Sequence, residues 1–405
     1  MQQVSDTTDG KTSVPRWASR SAVTGARQRR LLAALWKAKS LSRRELHDQT
    51  GIRPNTITLD VNTLLSCGVL SEKDSPTGQR GRPSVPLEIN RGQRDVVGLA
   101  IEPHRVGVAR LNLGGDVLET RQETGARDPH AIVTTARAML KSFMRDSTLS
   151  VGFSATGSVD PINRCSLHGS AWSKTDTISL QSIYEVAGDR PLILENDMHA
   201  LSARWGLHRK IAQDEDTLLV DFEDGRLGAS LLIDGRPNRG CITAANELGH
   251  TRLPIETDLC HCGKIGCLER ICSTPFLQRY GGESGTLDQR AADYDGTDET
   301  MTQLIDLLAM GIANAVSFSR VHRLVLVSEL TRHPRFTEAL IASIRRQVVS
   351  DVEPHIKIEV WQQVAGQAAE TAGWLAMANL FMEGWGEATD LTQLCHADEP
   401  ADANK

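Results

Sequence analysis

The first regular pattern in the chain lies over residues 29–38, where Leu31, Leu32, Leu35 and Trp36 recur at helical spacing. Residues 42–45, Ser-Arg-Arg-Glu, read as a capping box that starts a second helix with Leu46 on its buried side, and Gly51 ends it. A tight turn leads into a third helix at Pro54, whose Ile57, Val61, Leu64 and Leu65 form an apolar stripe stopping at Cys67-Gly68. Two short helices joined at a glycine turn predict a helix-turn-helix. Residues 69–72 and 85–89 then read as strands around a Pro/Gly/Ser-rich tip at 75–83, the outline of a wing.

From residue 95 the pattern changes to apolar, β-rich runs separated by helical periods. Strands are predicted over 96–100, 107–113, 149–153, 192–195, 218–222, 228–233 and 324–327, and helices over 130–144, 200–207, 301–319 and 366–381. This repetition predicts a mixed α/β body with two lobes. The expected organisation is a flexible basic arm at 1–27, a winged helix-turn-helix at 28–90, a body at 95–385 and a frayed tail at 386–405.

A length of 405 residues suits two or three domains, and no apolar run approaches the eighteen or so residues that span a bilayer, so no membrane segment is expected. The N-terminal residues lack the apolar stretch of an export signal, and five of the eight cysteines are scattered, at 67, 165, 241, 272 and 395. Both features point to a reducing cytoplasm. The net charge of −6 divides unevenly: residues 1–94 hold sixteen Lys/Arg against eight Asp/Glu, leaving −14 for the rest. A basic head on an acidic body is the electrostatic footprint of nucleic-acid binding. The polar face of the third helix offers Asn55, Thr56, Thr58 and Asn62 to a major groove, with Arg43 and Arg44 nearby, while Arg80 and Arg82 form a narrow basic wing tip suited to a minor groove.

The remaining three cysteines fall within eight residues, Cys260, Cys262 and Cys267, with His250 ten residues upstream. Three thiolates and an imidazole can close a tetrahedron around Zn2+, and four protein ligands leave no open position, so the ion is expected to be structural. His261 is a rival imidazole, disfavoured by its place inside the cysteine loop. Leu194-Glu195-Asn196-Asp197 runs off a strand into a helix, setting the Asn196 amide and Asp197 carboxylate at a strand's C-terminal end, where α/β sheets bind ligands. Glu247 and Glu269 flank the cysteine loop, and carboxylates with an amide suit the hydroxyls of a sugar.

The stretch Glu247-Leu248-Gly249-His250, followed by Cys260, Cys262, Cys267 and Glu269, closely resembles the signature of the ROK family of repressors and sugar kinases. The likeness runs from the winged head through 195–197 to the helix at 366–373. It implies a two-lobed actin-like ATPase/sugar-kinase fold behind the winged helix-turn-helix, with zinc on His250, Cys260, Cys262 and Cys267. It also implies sugar hydroxyls at Asn196, Asp197, Glu247, His250 and Glu269, the histidine serving metal and sugar through different nitrogens. The family's kinases use an Asp-x-Gly-Gly-Thr phosphate loop where this chain has Ala100-Ile101-Glu102-Pro103-His104-Arg105. A second glycine-rich loop is replaced by 221–228, which adds acids, and a glycine pair by Val327-Ser328-Glu329-Leu330. Asp197 stands at the position of the kinase base. The expectation is a regulator without kinase activity, most plainly a repressor released from double-stranded operator DNA by a sugar or sugar phosphate, acting as a homodimer or homotetramer. A phosphate would need a basic partner, for which Arg164, Lys174 and Arg204 are candidates. Two other readings stand beside it: a bifunctional sugar kinase with a DNA-binding head, and a repressor controlled by docking of a transport-system protein.

Overall fold

The structure is a computed structural model. It describes residues 16–73, 85–125, 128–168, 177–209, 215–240, 246–282, 285–362, 367–387 and 391, with side chains from residue 24 onward. The wing tip with Arg80 and Arg82, and Lys174, lie outside the described residues. The chain divides into two compact units, residues 91–386 forming one and residues 1–90 with 387–405 the other.

In the smaller unit, helices Arg16–Ala38, Arg43–Thr50 and Pro54–Ser66 bury Leu31, Leu32, Leu35, Leu46, Ile57, Val61 and Leu64 together. Ser42 closes the expected capping box, its N–H donating to Glu45 Oε2 at 2.7 Å while Glu45 N–H reaches Ser42 Oγ at 3.3 Å. Gly51 ends that helix at φ 67°, a left-handed position that suits glycine. Strands Leu41–Ser42, Pro86–Ile89 and Leu70–Glu72 make the small sheet in that spatial order, antiparallel throughout. The first helix corrects the expected arm at 1–27, because it starts at Arg16 and not at residue 29. Residues 16–27 are rich in Arg and Ala and free of proline, so nothing stops the helix from extending. Arg27 has a structural role there, donating Nε and Nη2 to the buried Asp60 carboxylate at 2.9 and 3.0 Å. The expected tail is corrected too: Leu391 is buried and its N–H donates to Gln28 Oε1 at 2.9 Å, while Arg29 donates to Glu387 O at 2.7 Å.

The larger unit is built on two five-stranded sheets of one topology. In the first, strands Asp95–Glu102, Arg105–Asn112 and Val117–Thr124 form an antiparallel meander, and Thr148–Ala155 and Leu192–Asn196 add in parallel beyond the first strand. In the second, Thr217–Glu223, Arg226–Ile233 and Arg236–Pro237 form the meander, and Arg323–Val327 and Lys357–Val360 add in parallel. The repeated order defines two lobes, each with its own core: Leu99, Val108, Phe153 and Leu140 in the first, Leu218, Phe222, Leu304, Leu326 and Phe336 in the second. Strand Val117–Thr124 is absent from the sequence-based expectation, since nearly all its residues are exposed and show no alternation.

Helix Ala368–Phe381 is buried nearly all round, as its lack of a polar face requires. It lies directly on the first sheet over Gly98 and Gly152, where an added methyl would overlap the backbone of Ala369 and Ala372. Helix Glu299–Ser319 is, among the described residues, long and apolar enough to cross a membrane by length and composition, although no unbroken apolar run was expected. Half of that apolar window is buried, with Leu304, Leu308 and Ile312 in the second lobe's core.

Candidate functional site

The parallel strand Leu192–Asn196 ends where helix Asp197–Arg209 begins, with Asn196 as its capping residue: Asn196 Oδ1 accepts from His199 N at 2.8 Å. That bond fixes the amide and leaves its NH2 for a ligand. Behind it, Glu195 is buried between His199 Nδ1, at 2.9 Å, and the Arg239 guanidinium. Burial alone would raise the Glu195 carboxyl; His199 and Arg239 outweigh it and hold the group below the ordinary value. Sequence reasoning missed the His199 and Arg239 partners, because Arg239 is separated from Glu195 by more than forty positions.

The cysteine loop is closed locally. Gly263 and Gly266 take φ 81° and 85°, Cys260 N–H donates to Lys264 O at 2.9 Å, and an isolated bridge ties Arg252 to Cys267. Cys267 then starts the short helix Leu268–Ile271, which carries Glu269 in its first turn. Donor atoms of His250, Cys260, Cys262 and Cys267 all lie within 4.8 Å of one another, with His250 Nδ1 to Cys260 Sγ at 3.6 Å and Cys262 Sγ to Cys267 Sγ at 3.5 Å. A tetrahedron with metal–sulfur bonds near 2.3 Å has edges of about 3.8 Å, so the set fits an ion of that kind. A second set, His250, Cys260, His261 and Glu269, meets the same spacing, with His261 Nδ1 at 3.1 Å and Cys260 Sγ at 3.0 Å from Glu269 Oε1. His261 Nδ1 lies 3.8 Å from Cys260 Sγ, and this second set joins His261 to one flanking sulfur, Cys260, without Cys262.

His250 turns Nδ1 to the cysteines and Nε2 to Glu247, at 3.8 Å from its carboxylate. Burial raises the Glu247 carboxyl, with Asp197 and Glu269 adding repulsion and His261 opposing them. Asp197 also opens onto a cavity of about 430 Å³ between the two sheets, lined by Glu102, Arg105, Thr156, Asp221, Glu223, Arg226 and Glu329 among others. Here the degraded phosphate loops take definite form. The first is a tight hairpin with Pro103, which has no N–H, and Arg105 donating to both Glu102 oxygens at 2.7 and 2.6 Å. In the second hairpin, half-exposed Arg226 donates to Asp221 at 2.9 Å. At the third element, Glu329 N–H is taken by Glu223 Oε1 at 2.8 Å.

Burial raises Asp221 and pushes Glu223 up to about 7, the neighbouring Asp221 adding to the second shift. A carboxyl raised in the folded state binds its proton more tightly there than when unfolded, so stability falls as pH rises from the ordinary value near 4.5 through 7. Glu223→Gln should therefore flatten the decline in melting temperature between pH 5 and pH 8, read by thermal unfolding of both proteins across that range.

In the smaller unit, Asn55, Thr58 and Asn62 are exposed on helix Pro54–Ser66, Thr56 is half-buried, and Arg44 is exposed on the preceding helix. Arg43 is engaged inside the protein, donating to Glu72 at 3.1 Å and to Asn62 Oδ1 at 3.3 Å, so these two side chains act as a pair. The sequence reading missed Leu59, which is 69% exposed on the same face and is detectable from its spacing with Asn55 and Asn62.

Two repeated-topology lobes around a cleft, a thiol-rich loop on the second lobe and a winged helix-turn-helix ahead of them in sequence define an actin-like, sugar-kinase-type body joined to a DNA-binding type of module. The chain belongs to the ROK family, which it matches over residues 96–381. It is 20% identical over 382 residues to the xylose repressor of Bacillus spizizenii, covering 90% of this chain and 97% of that one. With the xylose repressor of Caldicellulosiruptor bescii it shares 23% identity over 258 residues, and the match spans 63% of that protein and 61% of this chain. Among solved structures, a ROK family transcriptional regulator described as a homolog of the E. coli MLC protein superposes with a TM-score of 0.77, at 19% identity, over 93% of this chain and all of the other. A ROK hexokinase from Thermus thermophilus matches the body, with TM-score 0.56, 19% identity, and coverage of 70% and 97%. The fold is thus common to regulators and kinases, and the residues of the cleft must distinguish them.

Proposed function

We propose that this protein is a sugar-responsive repressor that binds operator DNA through its winged head and has lost kinase activity. The observation that carries the reading is the joining of a recognition-type helix, polar at Asn55, Thr58 and Asn62, to a cleft whose three phosphate-binding elements are replaced by bonded carboxylates. Backbone amides that would cradle a nucleotide's phosphates are missing at Pro103 and occupied at Glu329, and the surrounding acids repel phosphate. Asn196, Asp197, Glu247, His250 and Glu269 would hold a sugar by its hydroxyls, and His250, Cys260, Cys262 and Cys267 would hold a structural Zn2+ that braces Glu269 and His250. Three sulfurs and an imidazole favour a borderline-soft ion over the alternative set with its carboxylate. Asp197 acts as a hydrogen-bond acceptor in this cleft.

On DNA, Arg44 and the wing arginines Arg80 and Arg82 contact phosphates or the minor groove. Asn55, Thr56, Thr58 and Asn62 present polar groups to base edges, with Arg43 holding Asn62 in place. Leu59 is suited to a thymine methyl. A two-fold dimer would set two heads on a palindromic operator.

The test is operator binding by fluorescence anisotropy at fixed salt, with and without saturating sugar. A ligand releases DNA only as far as it prefers the released state, so the inducing sugar must weaken operator affinity. Arg44→Ala should weaken operator binding about tenfold and lower the salt slope by about one, leaving sugar binding unchanged. Operator affinity indifferent to every sugar would sink the reading in favour of control by a protein partner, and sugar-dependent ADP release abolished by Asp197→Asn would restore the kinase.

A further inference from the structure

The cavity next to Asp197 has a definite charge. Five carboxylates, Glu102, Asp197, Asp221, Glu223 and Glu329, line it with two guanidiniums, Arg105 and Arg226. Both guanidiniums are paired, Arg105 with Glu102 and Arg226 with Asp221. With every group ionised the lining carries three more negative than positive charges. Burial raises Asp197 and Asp221 and takes Glu223 to about 7, and repulsion from neighbouring carboxylates adds to each shift.

Other candidate cations are already bonded. Arg204 donates to Thr371 and Gln367, neutral residues of the cavity's own lining, at 3.1 and 2.8 Å, and Arg164 lies over the Tyr184 ring with its guanidinium 4.7 Å from the centroid. On the sugar side Arg270 is 3.6 Å from Glu269. Asp197 belongs to the proposed sugar-contacting set and also lines the cavity, so a phosphate on the hydroxyl nearest Asp197 would enter this lining. It would meet more carboxylates than guanidiniums, gaining Arg105 or Arg226 only by breaking an existing ion pair and Arg204 only by breaking its bonds to Thr371 and Gln367.

We infer that the effector of this cleft is an unphosphorylated sugar, and that the acidic cavity beyond Asp197 rejects sugar phosphates. The inference rests on the proposed sugar-responsive reading and narrows its ligand class. One unbalanced like charge at close range in a half-buried site is worth a factor of about ten or more in affinity, so discrimination of at least that size is expected.

The experiment is calorimetric titration of the full-length, zinc-loaded protein with matched probes: glucose against glucose 6-phosphate, and N-acetylglucosamine against its 6-phosphate, with xylose as a further neutral probe. Operator release is measured in parallel. A neutral sugar that binds at least tenfold more tightly than its phosphate supports the inference. Tighter binding of a phosphate overturns it while leaving the sugar-responsive reading intact; no binding by any probe, with operator affinity unmoved, overturns both. At pH 8, where Glu223 is mostly ionised, Glu223→Gln combined with Glu329→Gln removes two carboxylates from the lining and should narrow the discrimination at least threefold, as should raising KCl from 50 to 500 mM with the unchanged protein. Discrimination that survives both treatments at full size would show that cavity charge is not its source.

Discussion

Cys262→Ser protein, purified and dialysed, should carry less than about a tenth of an equivalent of zinc, against one for the unchanged chain. The cost is large because structural zinc contributes on the order of ten kcal/mol to ordering its ligands, and the loop from Cys260 to Cys267 is otherwise held by its own turns and a handful of hydrogen bonds to Arg252, Leu253 and Thr257. Glu269 sits two residues beyond Cys267 and His250 is itself a ligand candidate, so sugar binding should disappear with the ion. Operator binding in the absence of sugar should persist, since the winged head has its own core. His261→Ala is the informative control. If it keeps zinc while Cys262→Ser loses it, three thiolates and His250 hold the ion. The opposite pattern would assign the ion to the set containing His261 and Glu269. Metal content by plasma mass spectrometry reads both.

Gly98→Ala should destabilise the body by about 3 kcal/mol, the upper end of overpacking costs, because the added methyl meets the backbone of Ala369 and not a side chain that can turn aside. In a unit of this size that corresponds to roughly 5 °C in melting temperature. Gly152→Ala, against Ala372, should behave alike. An alanine is usually tolerated or helpful in place of a strand glycine, so a large loss measured by calorimetry would specifically report the contact between helix Ala368–Phe381 and the first sheet. A change under about 0.5 kcal/mol would mean that the helix is not held on the sheet at these glycines.

Much of this arrangement was legible in the sequence where one physical signal was strong and local. The capping box at Ser42, the left-handed Gly51 and the stripe at Ile57, Val61 and Leu64 each act within one turn of helix, and each lies where its spacing implied. The cysteine spacing was equally direct, since ligand atoms ten or fewer residues apart in a glycine-bearing loop have few ways to avoid each other. What escaped notice depends on distant partners. Strand Val117–Thr124 exists because Arg105–Asn112 offers it a ladder, and its own exposed side chains carry no pattern. Helix Pro334–Gln347, too, was missed, although Phe336, Leu340, Ile341 and Ile344 keep helical spacing. The cleft was half legible: Asn196, Asp197, Glu247 and Glu269 could be chosen by type and position. The pairing of Arg105 with Glu102 and of Glu223 with the Glu329 amide needed the fold to bring the loops together.

The return of the chain at Glu387 and Leu391 onto Gln28 and Arg29 sets an order of synthesis. Residues 16–90 leave the ribosome first, yet Gln28 and Arg29, both almost fully buried, take partners from more than 350 positions later. Until those residues emerge, the buried Gln28 side-chain oxygen lacks this donor and the Arg29 guanidinium lacks this acceptor. The unit begun first is therefore the one completed last, and a nascent chain interrupted within the body would present an unfinished head.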